Sequence, residues 1–511
     1  MTDRRQVVHA ATLGRSSAIG LRTRPRVVVV GGGIAGLTAA TGLAERGVEV
    51  DLWERQHYLG GRVGGWTEEL DGSGTVGMNR GFHAFFRQYY NLRALLRRTD
   101  PDLSRLTAVD DYPLVDAHGH RDTFQGLPRT PPLNALAFAL RSPTFRFLDL
   151  VRINAAAAAP LAAVSMPAIY DQLDHIDAET FLKDINFPEA ARHLAFEVFS
   201  RSFFAQPDQL SAAELASMFH IYFLGSSEGL LFDVAGSNFD NCLWNPLRDY
   251  LTGYGANVRT GVTVAAIEHV DGRFTVTDSD GTSTEADGVV LATDVAGLQR
   301  IVAGSPTLGD DDWRQQVQAL QVAPPFVVHR LWLDRPVHAD RPAFLGTGGL
   351  KPLDNISVVN RYESEAAGWV TAHGGSVVEL HAYAAPDAAD REGIRTQLLA
   401  RLYELYPELT GATIVAERML CQEDCPQFSP GSHANRPGVV TPQAGLVLAG
   451  DGIRIDLPVA LMERAATTGW AAANALLARW HIAGHPLRTV PVRGRSALLR
   501  LLVERTGRST T

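Results

Sequence analysis

Residues 26–66, RVVVVGGGIAGLTAATGLAERGVEVDLWERQHYLGGRVGGW, constrain the chain more tightly than any other stretch. Val27 to Val30 are a β-branched run without polar alternation, as in a parallel strand covered on both faces. Gly31, Gly33 and Gly36 come next in GxGxxG spacing, and Ile34, Ala35 and the alanines up to Leu43 continue as a helix. In such a turn the first glycine makes the bend, the second lets backbone approach a pyrophosphate, and the third packs helix on strand. The helix start offers unpaired N–H groups and a positive dipole end to phosphate. A second strand, Val48 to Trp53, ends in Glu54, where a carboxylate can accept ribose hydroxyls. A glycine triplet alone has an ordinary explanation in helix-capping turns. With strand, helix, second strand and acid all at the right offsets, the segment reads as a dinucleotide-binding unit.

The residues after Glu54 narrow the dinucleotide. Arg55 comes next, then Gly60-Gly61-Arg62, which resembles the extended fingerprint of the flavin amine oxidase and carotenoid desaturase superfamily. Gly60 and Gly61 allow a second backbone segment to close over the pyrophosphate, and Arg62 can neutralise it through two N–H groups. Near the far end Leu446 to Ala449 read as a buried strand, and Gly450-Asp451 precede a helix through Arg464, Thr467 and Trp470. The resemblance implies FAD. It implies that Asp451 meets the ribityl and phosphate region and that Val264 lies on a strand passing the adenine. It also implies that a helix start near Leu457 to Ala460, with Val459, faces the flavin pyrimidine. No cysteine lies in the fingerprint or the final helix, so the FAD is expected to be non-covalent.

The chain of 511 residues is too long for one simple core and suggests two interleaved domains. Its net charge of −9 offers no general attraction to nucleic acid. Three cysteines imply neither a disulfide framework nor a metal site, and Cys421 and Cys425 lack a partner cluster. The expected fold class is α/β, a Rossmann-type FAD-binding domain interleaved with an α+β substrate domain. The FAD domain is expected at 26–100, 236–300 and 416–482, and the substrate domain at 101–235 and 301–415. Residues 1–25, with Arg4, Arg5, Arg15, Arg22 and Arg24, read as a flexible basic leader, and 483–511 as a basic amphipathic tail. Asp271-Gly272 and Asp280-Gly281 mark turns between alternating runs.

The resemblance sharpens at GMNRGFHAFFRQYYNL, residues 77–92, which is similar to the motif after the first nucleotide-binding unit in plant and cyanobacterial carotenoid desaturases. Met462-Glu463 and Gly469 match that group's final helix, although it usually carries glycine at the position of Arg464. AFEVFSRSFFAQP (195–207) and MFHIYFLGSSEGLLFD (218–233) resemble the bacterial β-carotene desaturase/methyltransferases, the isorenieratene synthases. That resemblance implies desaturation of a β-ionone ring with a 1,2-methyl shift to an aromatic ring, an apolar carotenoid substrate, and an electron acceptor the sequence does not identify. Phe203, Phe204, Phe219, Tyr222, Phe223 and Phe232 suit the lining of an apolar tunnel, although such clusters are more often plain core.

His83 is the candidate catalytic base, since imidazole accepts a proton near neutrality; a hydrogen-bonded core histidine is the alternative. Arg80 is a lesser candidate for the flavin edge. Amine oxidation is the competing activity, but those enzymes typically use a lysine near the flavin. Here only Lys183 and Lys351 occur, and Ile453, Ile455 and Val459 approach the final helix. Another carotenoid or phytoene-type desaturase is a further alternative. A non-catalytic lipid carrier would not need the intact FAD motifs. No span of about 20 apolar residues occurs, so the expected location is cytoplasmic, peripheral on the inner face of the membrane. Candidate contacts are Phe138 to Ile169 and the tail at 493–508, where Leu498, Leu499, Leu501 and Leu502 alternate with arginines.

Overall fold

The computed structural model describes residues 3, 5–70, 74–145, 152–192, 201–385 and 388–494. Two sheets organise it. The first has five parallel strands in the order Asn257–Thr260, Glu49–Glu54, Arg26–Val30, Gly288–Leu291 and Leu446–Leu448. Val27, Val28 and Val29 are fully buried at its centre, which is why their sequence shows no alternation. The helix Ile34–Ala44 is buried along its whole length. It lies against the final helix, Leu461–Arg479, with small residues at the crossing: a Cβ on Gly469 would stand 2.4 Å from the Ala35 carbonyl oxygen.

The second sheet has seven strands, in the order Ile414–Gln422, Phe326–Leu333, Ser376–Ala382, Asn355–Val358, Phe344–Gly348, Leu114–Asp116 and Arg121–Asp122. All its neighbours are antiparallel except Phe344–Gly348 with Leu114–Asp116. Its two short strands come from the 101–235 segment, so that segment and 301–415 share one sheet. Ile414–Gln422 pairs along Phe326–Leu333 and belongs to this sheet too. The division expected at 415/416 therefore moves past Gln422, because strand pairing and not composition sets where the chain changes layers. A three-stranded antiparallel sheet, Val264–Val270, Arg273–Asp278 and Ser283–Ala286, has Asp271-Gly272 and Asp280-Gly281 in its turns.

The amino-terminal segment is not a free leader. Val7–His9 pairs antiparallel with Leu487–Thr489, Arg15 bridges to Ile482, and Ala18 is buried with its N–H donating to Arg46 O. Two β-branched residues beside an open strand edge outweigh the local arginine content. That edge comes from residues 483–494, the part of the expected tail within the described residues; 495–511 lie outside them, as do residues 146–151 of the Phe138 to Ile169 stretch. Among the described residues no helix is long and apolar enough to cross a membrane.

Candidate active site

One cavity of about 400 Å³ runs between the two sheets, within the usual range for small-molecule sites. Its nucleotide end is built by the glycine turn. Gly31 N–H donates to Trp53 O at 2.8 Å, and a Cβ on Gly36 would stand 1.8 Å from Gly31 O, so nothing larger fits there. Gly33 caps the Ile34–Ala44 helix without a side-chain partner, and that helix has no acid in its first turn. Its N-terminal N–H groups thus meet the cavity beside Ile34 and Ala35. A Cβ on Gly33 would find its nearest protein atom 3.8 Å away, across the gap at Gly61. The protein leaves that space open, as a pyrophosphate against the helix start requires.

A second segment closes over the first. Gly60 N–H donates to Gly32 O at 2.8 Å. Gly60 has φ +93°, and a Cβ there would collide with the Trp244 indole nitrogen at 2.2 Å. Glu54 is buried and accepts the Gly32 and Gln56 N–H groups, both at 2.7 Å. Burial raises its pKa, and these two bonds counter only part of that. Arg55 pairs with Asp294 at 2.5 Å, and Asp294 in turn caps the helix Val295–Ala303. Arg62 is ion-paired with Asp451. Burial disfavours its charge, but Asp451 first, with Cys425 and Asp424, raises its pKa overall. Gly450 N–H is held by Thr468 Oγ at 2.9 Å.

At the opposite end the final helix begins at Leu461, again without a side-chain cap, with Leu461, Met462 and Ala465 on the cavity wall. The acid of its first turn, Glu463, is taken up by the Asn91 and Leu92 N–H groups at 2.8 and 2.9 Å. Two uncapped helix starts with arginine between them match a long cofactor that is anionic in its middle and electron-rich at its far ring. Among the described residues no cluster could hold a metal ion.

Beyond that end the wall turns aromatic. Phe82 packs on Phe344 with ring centroids 4.4 Å apart, Phe86 on Phe232 at 5.2 Å, and Phe204 on Phe326 and Tyr383 at 4.9 Å each. His83 lines the cavity with Nδ1 2.9 Å from Gly81 O, so that nitrogen carries the proton and Nε2 is left with a lone pair. Burial, followed by the cations and His381 nearby, depresses its pKa to about 4 despite the Gly81 bond. Arg80 pairs with Asp424 at 2.8 Å and lies over the Phe326 ring. Behind this wall, in the seven-stranded sheet, buried Arg330 binds Glu379 at 2.9 Å and Glu363 at 3.1 Å. Glu379 also binds His381 Nε2 at 2.7 Å, and His381 Nδ1 lies 2.7 Å from the Tyr383 hydroxyl. His381 and Tyr383 both face the cavity. Burial acts on both acids, but Arg330 with His381 brings Glu379 down to about 2, whereas Glu363 rises to about 7.

Of the residues singled out from sequence, Gly31, Gly33, Ile34, Ala35, Glu54, Arg55, Gly61, Arg62, His83, Val264, Gly450 and Asp451 line this one cavity. Gly36 supports the turn from behind it. Val459 does not reach it: the helix expected to start at 457–460 starts at Leu461, and Val459 borders a separate small pocket with Gln88 and Tyr89. Arg464 is likewise turned away, bound with Arg436 to buried Glu214 at 2.7 and 2.9 Å. Of the aromatics expected to line a tunnel, Phe204 and Phe232 do so. Phe203 packs edge-on against Phe428, Tyr222 bonds to Tyr89 at 2.6 Å, and Phe219 stacks on Phe223. Asp354, Asn355, His381, Tyr383, Asp424 and Cys425 were not found from sequence, being scattered over segments without a local motif. One signal was available: Arg330, Glu379 and His381 are ionisable residues inside strands that are mostly apolar.

A family profile described as flavin containing amine oxidoreductase matches residues 34–477. The chain is 56% identical over 500 residues, 98% of its length and 96% of the relative's, to a carotenoid phi-ring synthase from Streptomyces griseus. It is 28% identical, over 93% of its length and 92% of the relative's, to a carotenoid phi-ring synthase from Chlorobaculum tepidum. Among solved structures, cyclohexylamine oxidase from Brevibacterium oxydans superposes with a TM-score of 0.64 at 16% identity, over 90% of this chain and all of that one, a likeness of fold.

Proposed function

The chain belongs to the flavin containing amine oxidoreductase family and to its carotenoid desaturase branch; on that premise we propose that this FAD-dependent oxidoreductase aromatises the β-ionone ring of β-carotene with a 1,2-methyl shift. The observation that carries the reading is the near full-length identity to a phi-ring synthase, and a cavity that changes from helix starts and arginines to phenylalanines supports it. FAD, bound non-covalently, supplies the two-electron oxidation by accepting hydride from an allylic carbon. Desaturation alone cannot make this ring aromatic, because a quaternary carbon with two methyl groups blocks it. A first two-electron oxidation with loss of a proton makes a ring double bond, so that the CH2 beside the quaternary carbon becomes allylic. A second hydride loss leaves that carbon cationic, one methyl migrates to it, and loss of its remaining proton gives the aromatic ring. The methyl stays within the ring, so no external methyl donor is required.

The aromatic wall excludes water from the cation and holds the ring by area burial, about 25 cal/mol per Å². His83 is the proposed base: neutral at physiological pH, with its Nε2 lone pair free. A weak base suffices against a carbocation, which is a far stronger acid than imidazolium. Amine oxidation is disfavoured by the site itself, since the chain's two lysines, Lys183 and Lys351, are exposed and absent from the cavity wall.

The substrate is drawn from a bilayer in this reading, with the protein peripheral on the inner face. The helix Leu133–Arg141 supports it: Leu133, Leu136 and Leu140 are 52%, 52% and 64% exposed on one face. Phe138, on its buried face, stacks on Phe124, and Phe124 on the cavity residue Tyr112, at 4.8 and 4.5 Å. Expression in cells that accumulate β-carotene tests the activity. A pigment lacking four hydrogens per converted ring supports it; unchanged β-carotene in cells holding yellow, FAD-loaded protein overturns it.

A further inference from the structure

We propose that Tyr383, His381 and Glu379 form a second proton acceptor in this cavity, with the Tyr383 hydroxyl as the group that meets the substrate. The inference rests on the ring-aromatisation reading, because that reaction releases two protons per ring, one with each two-electron oxidation. His83 has a lone pair but no carboxylate partner to stabilise its charged form. The other triplet has one.

Its order is set by charge. Glu379 is fully buried, and Arg330, bonded to it at 2.9 Å from the neighbouring strand, holds it ionised. An ionised carboxylate can only accept, so His381 Nε2, 2.7 Å away, carries the ring proton. This bond outweighs the longer approach of the Phe82 N–H to the same nitrogen at 3.4 Å. Nδ1 is then a bare acceptor, and the Tyr383 O–H points to it at 2.7 Å. Asn355 Nδ2 donates to the Tyr383 oxygen at 3.0 Å, which biases the hydroxyl proton further toward His381. A hydroxyl backed by a histidine that is itself backed by a buried carboxylate is the arrangement that activates a nucleophilic serine. Here the cavity beside it is aromatic, and the proton donor is a carbocation.

In the step itself the ring has lost hydride, its two electrons going to FAD. A ring C–H bond next to the cationic carbon then breaks, and its electron pair becomes the new C=C bond. The proton passes to the Tyr383 oxygen as that hydroxyl's own proton moves to His381 Nδ1. The imidazolium so formed sits against Glu379, charge beside charge in a dry site, and returns the proton by the same route after product leaves. Tyr383 is the catalytic residue; His381 and Glu379 act through it as positioning residues.

Tyr383→Phe is the cleanest test, since it deletes one oxygen and keeps the ring that packs on Phe204. Relative to wild-type protein with a measurable turnover, kcat is expected to fall roughly 100-fold, with FAD content and KM unchanged. His381→Gln should fall to a similar level, and the double variant no further, because groups that act as one unit are not additive. Histidine 15N spectra of the resting protein should show His381 protonated on Nε2 alone. Turnover within twofold of wild type in Tyr383→Phe, additive losses in the double variant, or a proton on Nδ1 would each overturn the relay. Failure of wild-type protein to aromatise β-carotene would instead strike the reading on which the relay rests.

Discussion

The two ends of the cavity are built in opposite ways. The nucleotide end comes mostly from one stretch: strand, glycine turn, helix, second strand and Gly60-Gly61-Arg62 all fall within 26–66, joined by Val262 to Val264, Ala292 to Asp294 and Gly450-Asp451 from afar. It offers a cofactor glycine backbone and a helix start, so its chemistry is written in glycines and in where helices start. The ring end is made of side chains from several distant segments: His83, Phe204 and Phe232, Phe326, Phe344, and the His381–Tyr383 pair. Backbone cradles leave sequence motifs; side-chain walls assembled across a sheet do not.

The largest way to break this comparison is at Gly33. Gly33→Val places a side chain in the one gap that the protein leaves open against the helix start. Purified protein should be colourless, with FAD loss read from absorbance against protein content and retention of the fold checked by circular dichroism; the new Cβ itself meets no protein atom within 3.4 Å. Stoichiometric FAD in that variant would show that the cofactor lies elsewhere.

Next is a buried cluster outside the cavity, where Arg464 of the final helix and Arg436 bind Glu214. Glu214→Gln leaves two buried guanidinium groups without their counter-charge, at a cost of about 3–5 kcal/mol, measurable by denaturant titration. The two arginines overcome burial and depress the Glu214 pKa to about 2 in the folded state. Its stabilisation is therefore complete above the ordinary carboxylate value of 4.5 and is lost as pH falls toward 2. Wild-type protein should lose stability in that window, and the glutamine variant should lose less of it.

At the ring end, His83→Ala should leave FAD bound while slowing product formation roughly 100-fold. With a pKa near 4 the imidazole is unprotonated through the neutral range, so the ratio of wild-type to His83→Ala kcat should be flat from pH 8 down and fall only as pH approaches 4. A fall centred on the ordinary histidine value would identify another group as the base. The smallest effect is expected on the membrane face: Leu136→Asp should reduce flotation with anionic vesicles severalfold and leave turnover of detergent-solubilised carotenoid unchanged. Equal flotation would remove this helix from the contact.

The same asymmetry explains how much the sequence alone made legible. The parallel strand, the glycine turn and the position of Glu54 could be read because local backbone demands those residues, whereas the role expected of Asp451 came only from the resemblance. Val459 lies outside the cavity wall because the helix runs from Leu461, with Ala460 as its N-cap, one residue beyond it. Phe219, Tyr222 and Phe223 were grouped with Phe204 and Phe232 since apolar aromatics look alike until packing decides which ones face a void. The strand Val7–His9 was hidden because its partner lies at the other end of the chain. His381 and Tyr383 carried no motif; His381 shares a mostly apolar strand with Glu379, and Tyr383 follows the end of that strand.

Feeding β-carotene whose geminal methyl carbons carry an isotopic label tests the central claim most directly. Every labelled methyl should be retained in the aromatic product, with one of them moved to the neighbouring ring carbon. Loss of a labelled methyl from the ring, or label retained without migration, would contradict an intramolecular shift carried out in this cavity.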